Sequence, residues 1–172
     1  MNSKEFKDNS ISRLLFRAAD QWPDQPAITF SGATQSWLET RNRCHAAATL
    51  FHRLGVGTGD RVAYLGLNSN VCFESYYSPA LIGAIFVPIN HRLSIREMVE
   101  CIEDCTPKIL IVDENFIEQA GHLLKVCASL KGVLCAAQSE LMESWSSYEK
   151  GVQEVSSSGE YCDLLPSSND EV

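Results

Sequence analysis

A layered α/β fold, a mainly parallel sheet with flanking helices, is what the sequence predicts. Short apolar runs with strand character alternate with stretches whose apolar residues recur every three to four positions, and such a series needs crossover connections. Two Ser-x-x-Glu pairs stand where helical patterns begin. The 172 residues are 45% hydrophobic and 21% charged, the composition of one globular domain with a core.

Ile11, Leu14, Leu15 and Ala18 form an i, i+3, i+4, i+7 stripe ending at Trp22-Pro23, which predicts a first helix. Pro26 to Phe30 reads as a strand and Ser31-Gly32 as its turn. Ser36 and Glu39 have the spacing of a capping box, opening a helix that should bury Cys44, Ala47, Ala48, Phe51 and Leu54 and end at Gly55. Arg61 to Leu67 is the next strand. A third helix begins at Asn70 with Phe73, Tyr77, Leu81 and Ala84 on one face, kinked at Pro79. Ile85 to Ile89 reads as a short strand of the buried type. Ser94 and Glu97 form the second capping box, and Leu93 with Met98 occupy the positions of a hydrophobic staple. Lys108 to Val112 is a strand, and Phe116, Ala120, Leu123, Cys127 and Leu130 mark another helix. Gly132 to Ala136 closes the series. From Ser139 the periodicity fades, so the expected division is a domain over 1–155 and a Ser/acid-rich linker or tail over 156–172.

Charge and composition exclude some classes of function. Net charge is -8 and the basic residues are scattered, which argues against nucleic acid as a partner. The longest apolar stretch, Pro79 to Ile89, is shorter than the roughly 20 residues that span a bilayer and contains two prolines. MNSKEFKDNS lacks the apolar core of a signal peptide, so a cytoplasmic location is expected. Seven cysteines, an odd number in a chain with no sign of secretion, read as reduced thiols on buried faces. Cys101 and Cys105 lie one helical turn apart, but no CxxC or paired histidine stands nearby to complete a metal site.

Three groups are candidates for chemistry. Gly55 to Asp60, GVGTGD, suggests a phosphate loop, but it follows a helix and precedes a strand, the reverse of the order that aims N–H groups at an anion. A cap and turn is therefore expected. Glu97, Glu100, Glu103 and Asp104 read as a solvated helix face opposite Ile95, Met98 and Ile102, so no catalytic acid is assigned. Of the four histidines, His91 alone falls in a loop after a predicted parallel strand. Ligands gather beyond the carboxyl ends of such strands, which singles out Asn90, His91 and Arg92; for Asn90 and His91 a turn role and a binding role both stay open.

At Leu81 to Ser94, LIGAIFVPINHRLS, the chain resembles the AMP-binding, adenylate-forming superfamily, in particular its acyl-CoA synthetase (ligase) branch. DQPAITF, SWLETRNRCHAAATLFHRLGVGTGDRVAYLGLNS and PKILIVDE match in order, and the likeness covers about Ile11 to Ala137. It implies an incomplete N-terminal domain of an acyl-CoA synthetase-like fold. The full-length family uses ATP, Mg and CoA to convert a carboxylate to an acyl-adenylate and then a thioester. By resemblance Arg92 is a candidate contact for a coenzyme A phosphate, a task suited to a planar permanent cation, with His91 a weaker one. The family's Ser/Thr/Gly-rich loop ending in lysine is expected after a segment like PSSNDEV, and no residue here matches it. The chain alone is thus expected to lack adenylation chemistry, to hold no cofactor and to self-associate or pair with a full-length homologue. A peroxisomal location is a further option for a full-length form.

Overall fold

The structure is a computed structural model that describes residues 11–136 and 145–162. It holds two sheets. The larger has five strands, β3 (Arg61–Leu65), β4 (Ile85–Ile89), β5 (Ile109–Val112), β6 (Gly132–Cys135) and β7 (Ser146–Ser147), all parallel in the order β4-β3-β5-β6-β7. The smaller is a hairpin of β1 (Pro26–Phe30) and β2 (Ala33–Ser36). Six helices complete the described chain: α1 (Ile11–Gln21), α2 (Trp37–Arg53), α3 (Asn70–Tyr77), α4 (Ile95–Cys105), α5 (Ile117–Val126) and α6 (Tyr148–Ser158).

The predicted layers are present, and strand alternation builds them. Val62 and Tyr64, Ile109 and Ile111, and Leu134 face one side, where α1, α2, α3 and α6 pack. Ala63 and Leu65, Leu110 and Val112, and Val133 and Cys135 face the other, covered by α4 and α5. Both faces of the central strands are buried, as a parallel sheet requires. Both capping boxes form: Ser36 Oγ accepts from Glu39 N and Ser94 Oγ from Glu97 N, with each glutamate accepting from the serine N–H in return. Those hydrogen bonds hold the Glu39 and Glu97 carboxyls below their ordinary pKa. Gly55, at φ +84, follows the end of α2 as expected.

Several expectations are corrected. Pro26–Phe30 is not a strand of the main sheet. Ser31 and Gly32 both adopt positive φ, the geometry of a two-residue type I′ hairpin, so the chain turns back on the polar strand β2, which has no apolar alternation to announce it. α1 buries Ser12, Leu15 and Ala19 and leaves Leu14 53% exposed, because adjacent leucines allow two stripes and packing on α2 and α3 selects one. Leu54, expected in the core, is exposed. Pro79 does not kink α3. The helix stops at Tyr77 and Pro79 opens a 3₁₀ turn, where a missing N–H costs nothing, closed by Gly83 at φ +69. The buried face of α3 is Val71, Glu74 and Ser75 rather than Phe73 and Tyr77.

Cys127 and Leu130 are buried but lie beyond α5. Of the cysteines, Cys44, Cys127 and Cys135 are buried whereas Cys101 is exposed. α6, with Ser147 as its N-cap and Tyr148, Val152 and Val155 buried, occupies a region read as aperiodic, and Ser156 to Ser158 form its last turn. Residues 137–144 and 163–172, where the fading pattern and most of the proposed tail fall, lie outside the described residues. Among the described residues no helix is long and apolar enough to cross a membrane.

β4 is an edge strand, not a buried one, since the chain crosses from it to the far side of β3; only Ile89 of its five residues is buried. Ile85 N donates inward to Asp60 O, so by strand alternation Phe86 and Pro88 aim their backbones outward. Proline offers no N–H there, which blunts the edge as a template for another strand. Pro88→Val restores the donor and raises β-propensity, and should shift the chain toward higher mass in sedimentation or light scattering; an unchanged mass would show that this edge does not limit self-association.

Candidate functional site

The strand order places the topological switch point at the carboxyl ends of β3 and β5, since the chain leaves β3 toward β4 on one side and returns to β5 on the other. Three loops meet along this rim: 66–69 after β3, 90–94 after β4 and 113–116 after β5. Asp113 joins two of them. Its Oδ2 accepts from Leu67 N at 2.5 Å and its Oδ1 from Asn115 N at 2.8 Å, capping the turn Glu114–Phe116. The Tyr64 hydroxyl donates to Leu67 O at 2.8 Å and lies 3.2 Å from Ser69 Oγ, which accepts from Cys72 N to start α3.

Burial pushes the Tyr64 phenol and the Cys72 thiol above their ordinary pKa. Both therefore stay protonated near neutrality, and Asp113 has a backbone donor on each oxygen. This trio is an architectural lock, not an acid–base pair.

The residues singled out in sequence reach the same rim with different roles. Asn90 forms the turn: its Oδ1 accepts from Arg92 N at 3.0 Å and its carbonyl from Leu93 N. His91 is half-buried and its ring lies 5.6 Å from that of Phe116, so it ties the β4 loop to the β5 loop. Arg92 is exposed, and its guanidinium has no hydrogen bond or ion pair among the described residues. It is the arginine or lysine that these three loops present.

The glycine-rich segment lies away from this rim. Gly55 to Asp60 lies at the amino end of the sheet, where Asp60 accepts from Gly57 N and from Lys108 Nζ at 2.6 Å. Burial opposes ionisation of Asp60, but the Lys108 and Gly57 donors outweigh it and hold its pKa down. Glu97, Glu100, Glu103 and Asp104 are all exposed on α4, although Ile95, placed opposite them, is exposed as well. Among the described residues no three His, Cys, Asp or Glu side chains gather as a metal site.

One cluster escaped sequence reading. Glu74 of α3 is fully buried and bound by Arg43 of α2 and by the Tyr148 hydroxyl of α6. Burial raises its pKa against the pull of Arg43. A glutamate inside FESYY could have hinted at it, but its partners lie 31 and 74 positions away.

A parallel sheet covered by helices on both faces is the architecture of the layered α/β class. The sequence profile described as "AMP-binding enzyme" matches residues 15–170, and the chain belongs to that family. It is 34% identical over 139 residues to a feruloyl-CoA synthase of an Amycolatopsis species, covering 78% of this chain and 28% of the relative. It is 30% identical to an indoleacetate–CoA ligase of Aromatoleum aromaticum, covering 81% and 27%. The N-terminal domain of a Mycobacterium tuberculosis protein superposes with a TM-score of 0.75 at 20% identity, over 94% of this chain and 39% of that one, which shows the shared fold. The chain thus spans little more than a quarter of the length of these two curated relatives, at their N-terminal portion.

Gly66 tests the lock. A Cβ there would come within 2.7 Å of both Asp113 Oδ2 and the Tyr64 hydroxyl, and neither can retreat without losing its backbone hydrogen bond. Gly66→Ala should cost about 1–3 kcal/mol of stability in denaturant melts, the range of overpacking; a neutral result would mean that the rim yields freely.

Proposed function

We propose that this chain is the N-terminal portion of an ATP-dependent carboxylate–CoA ligase, and that alone it does not carry out the adenylation. The family match over residues 15–170, on a chain so much shorter than its relatives, carries the reading. In the full reaction the carboxylate attacks the α-phosphorus of ATP and displaces pyrophosphate. The thiol of coenzyme A then attacks the acyl carbonyl and displaces AMP. Most of such catalysis is positioning and neutralisation of phosphate charge.

The rim residues do not fit Mg-ATP: the Asp113 oxygens are engaged by backbone N–H groups, and one arginine faces a polyanion. They do fit a single phosphate contact, which we assign to Arg92 and a coenzyme A phosphate, with His91 holding the loop against Phe116. We place the chain in the cytoplasm, or in peroxisomes for a longer form; an Arabidopsis thaliana relative is named as peroxisomal.

A non-catalytic α/β interaction module derived from the family, pairing with a full-length homologue, is the second reading. It is favoured by a sheet covered on both faces within this chain and by the proline on its edge. Sedimentation of the unmodified chain separates the two: self-association favours the fragment, a monodisperse monomer the module.

The purified chain should not catalyse carboxylate-dependent exchange of pyrophosphate into ATP; exchange that follows the protein through purification would defeat the first reading. In titrations with coenzyme A, Arg92→Ala should weaken binding by about 1.5–3 kcal/mol, the worth of a charge-assisted hydrogen bond shielded from water. Equal affinity in the variant would remove Arg92 from the coenzyme site.

A further inference from the structure

Three helices distant in sequence meet at one buried ion pair. The Glu74 carboxylate accepts from Arg43 Nε at 2.5 Å and Nη2 at 3.1 Å, and its Oε2 also accepts from the Tyr148 hydroxyl at 2.9 Å. The remaining edge of the Arg43 guanidinium donates to Glu149, through Nη1 at 3.1 Å and Nη2 at 2.8 Å. Arg43 is therefore a fork between a carboxylate of α3 and one of α6, with Tyr148 as the second link between those helices.

Around this network α6 also packs on α2, with the Tyr148 ring fully buried 6.5 Å from that of Phe51. Val152 and Val155 enter the core, and Gly151 lies beneath Leu50, where a Cβ would approach to 2.7 Å. At the far end the Tyr161 ring stacks 4.5 Å from His45, whose Nε2 lies 3.3 Å from Cys162 O, and Arg53 pairs with Glu160 near the surface. Trp145, just before β7, packs instead in the cluster on the opposite face of the sheet. The chain is thus pinned at Trp145 by apolar burial on one face of the sheet, and at α6 by buried Tyr148, Val152 and Val155 together with the polar network on the other.

Apolar burial rewards any docking that covers the surface, whereas a bidentate ion pair holds at one geometry only and recovers hydration when it parts. We propose that the Arg43–Glu74–Tyr148–Glu149 network is a latch that fixes where α6 docks on the α2–α3 layer, so that α6 opens as a unit of its own when the network is broken. This device is independent of the ligase reading, so either can fail without the other.

Hydrogen exchange on the intact chain tests it. Tyr148→Phe keeps the buried ring and removes one link; Arg43→Lys keeps the charge and removes the fork. Exchange across α6 should quicken about 10-fold or more in Tyr148→Phe and further in Arg43→Lys, while β3, β5 and β6 keep their protection. If Arg43→Lys loosens the whole domain, Tyr148→Phe alone decides. Acceleration of α6 and the sheet together, or unchanged exchange of α6, would overturn the latch.

Discussion

The parallel pairing of β3 with β5 is the constraint on which the rest of this molecule depends. Neither strand can pair in parallel without a crossover, and the crossovers must cover both faces because every residue of β5 and all but one of β3 are buried. The same pairing puts the turn-back of the chain between these strands. It thereby fixes where three loops converge and where Arg92 can face a ligand.

Polar groups do two different jobs around that frame. Asp113 is bonded to backbone N–H groups of its own loop and of the loop after β3, so its charge holds the rim in shape. Glu74 is bonded entirely to side chains of other helices, so its charge ties one element to another. The first arrangement is local in space and tolerates no added volume at Gly66. The second contributes geometric specificity more than net stability, since burying an ion pair costs nearly what its attraction returns. Burial raises the Glu74 pKa despite the pull of Arg43, so ionisation is harder in the fold than in the unfolded chain, and the contribution of this group to stability is largest at low pH and declines as pH rises through the raised pKa.

The family membership and the geometry meet at the carboxyl rim. Relatives named as CoA ligases share this N-terminal fold, yet the rim here presents one unpaired guanidinium and a carboxylate already satisfied. Such a surface offers one guanidinium to an anion, which under the reading proposed above is a phosphate of coenzyme A.

Local signals were legible in the sequence wherever neighbours along the chain make the structure. Both capping boxes, the turn at Ser31-Gly32, the ends of α2 and the strand character of β3, β5 and β6 depend on contacts within a few residues or on local composition alone. Asn90 to Arg92 could be placed at a strand end for the same reason. Tertiary structure decided everything that rests on which surfaces meet: the face that α1 buries, the edge position of β4, the docking of α6, and the partners of Glu74. An apolar run reads alike in a central and an edge strand, and adjacent leucines serve either of two stripes. A buried charge shows no trace in sequence of a partner 74 residues away, because the pair exists only once both helices have packed.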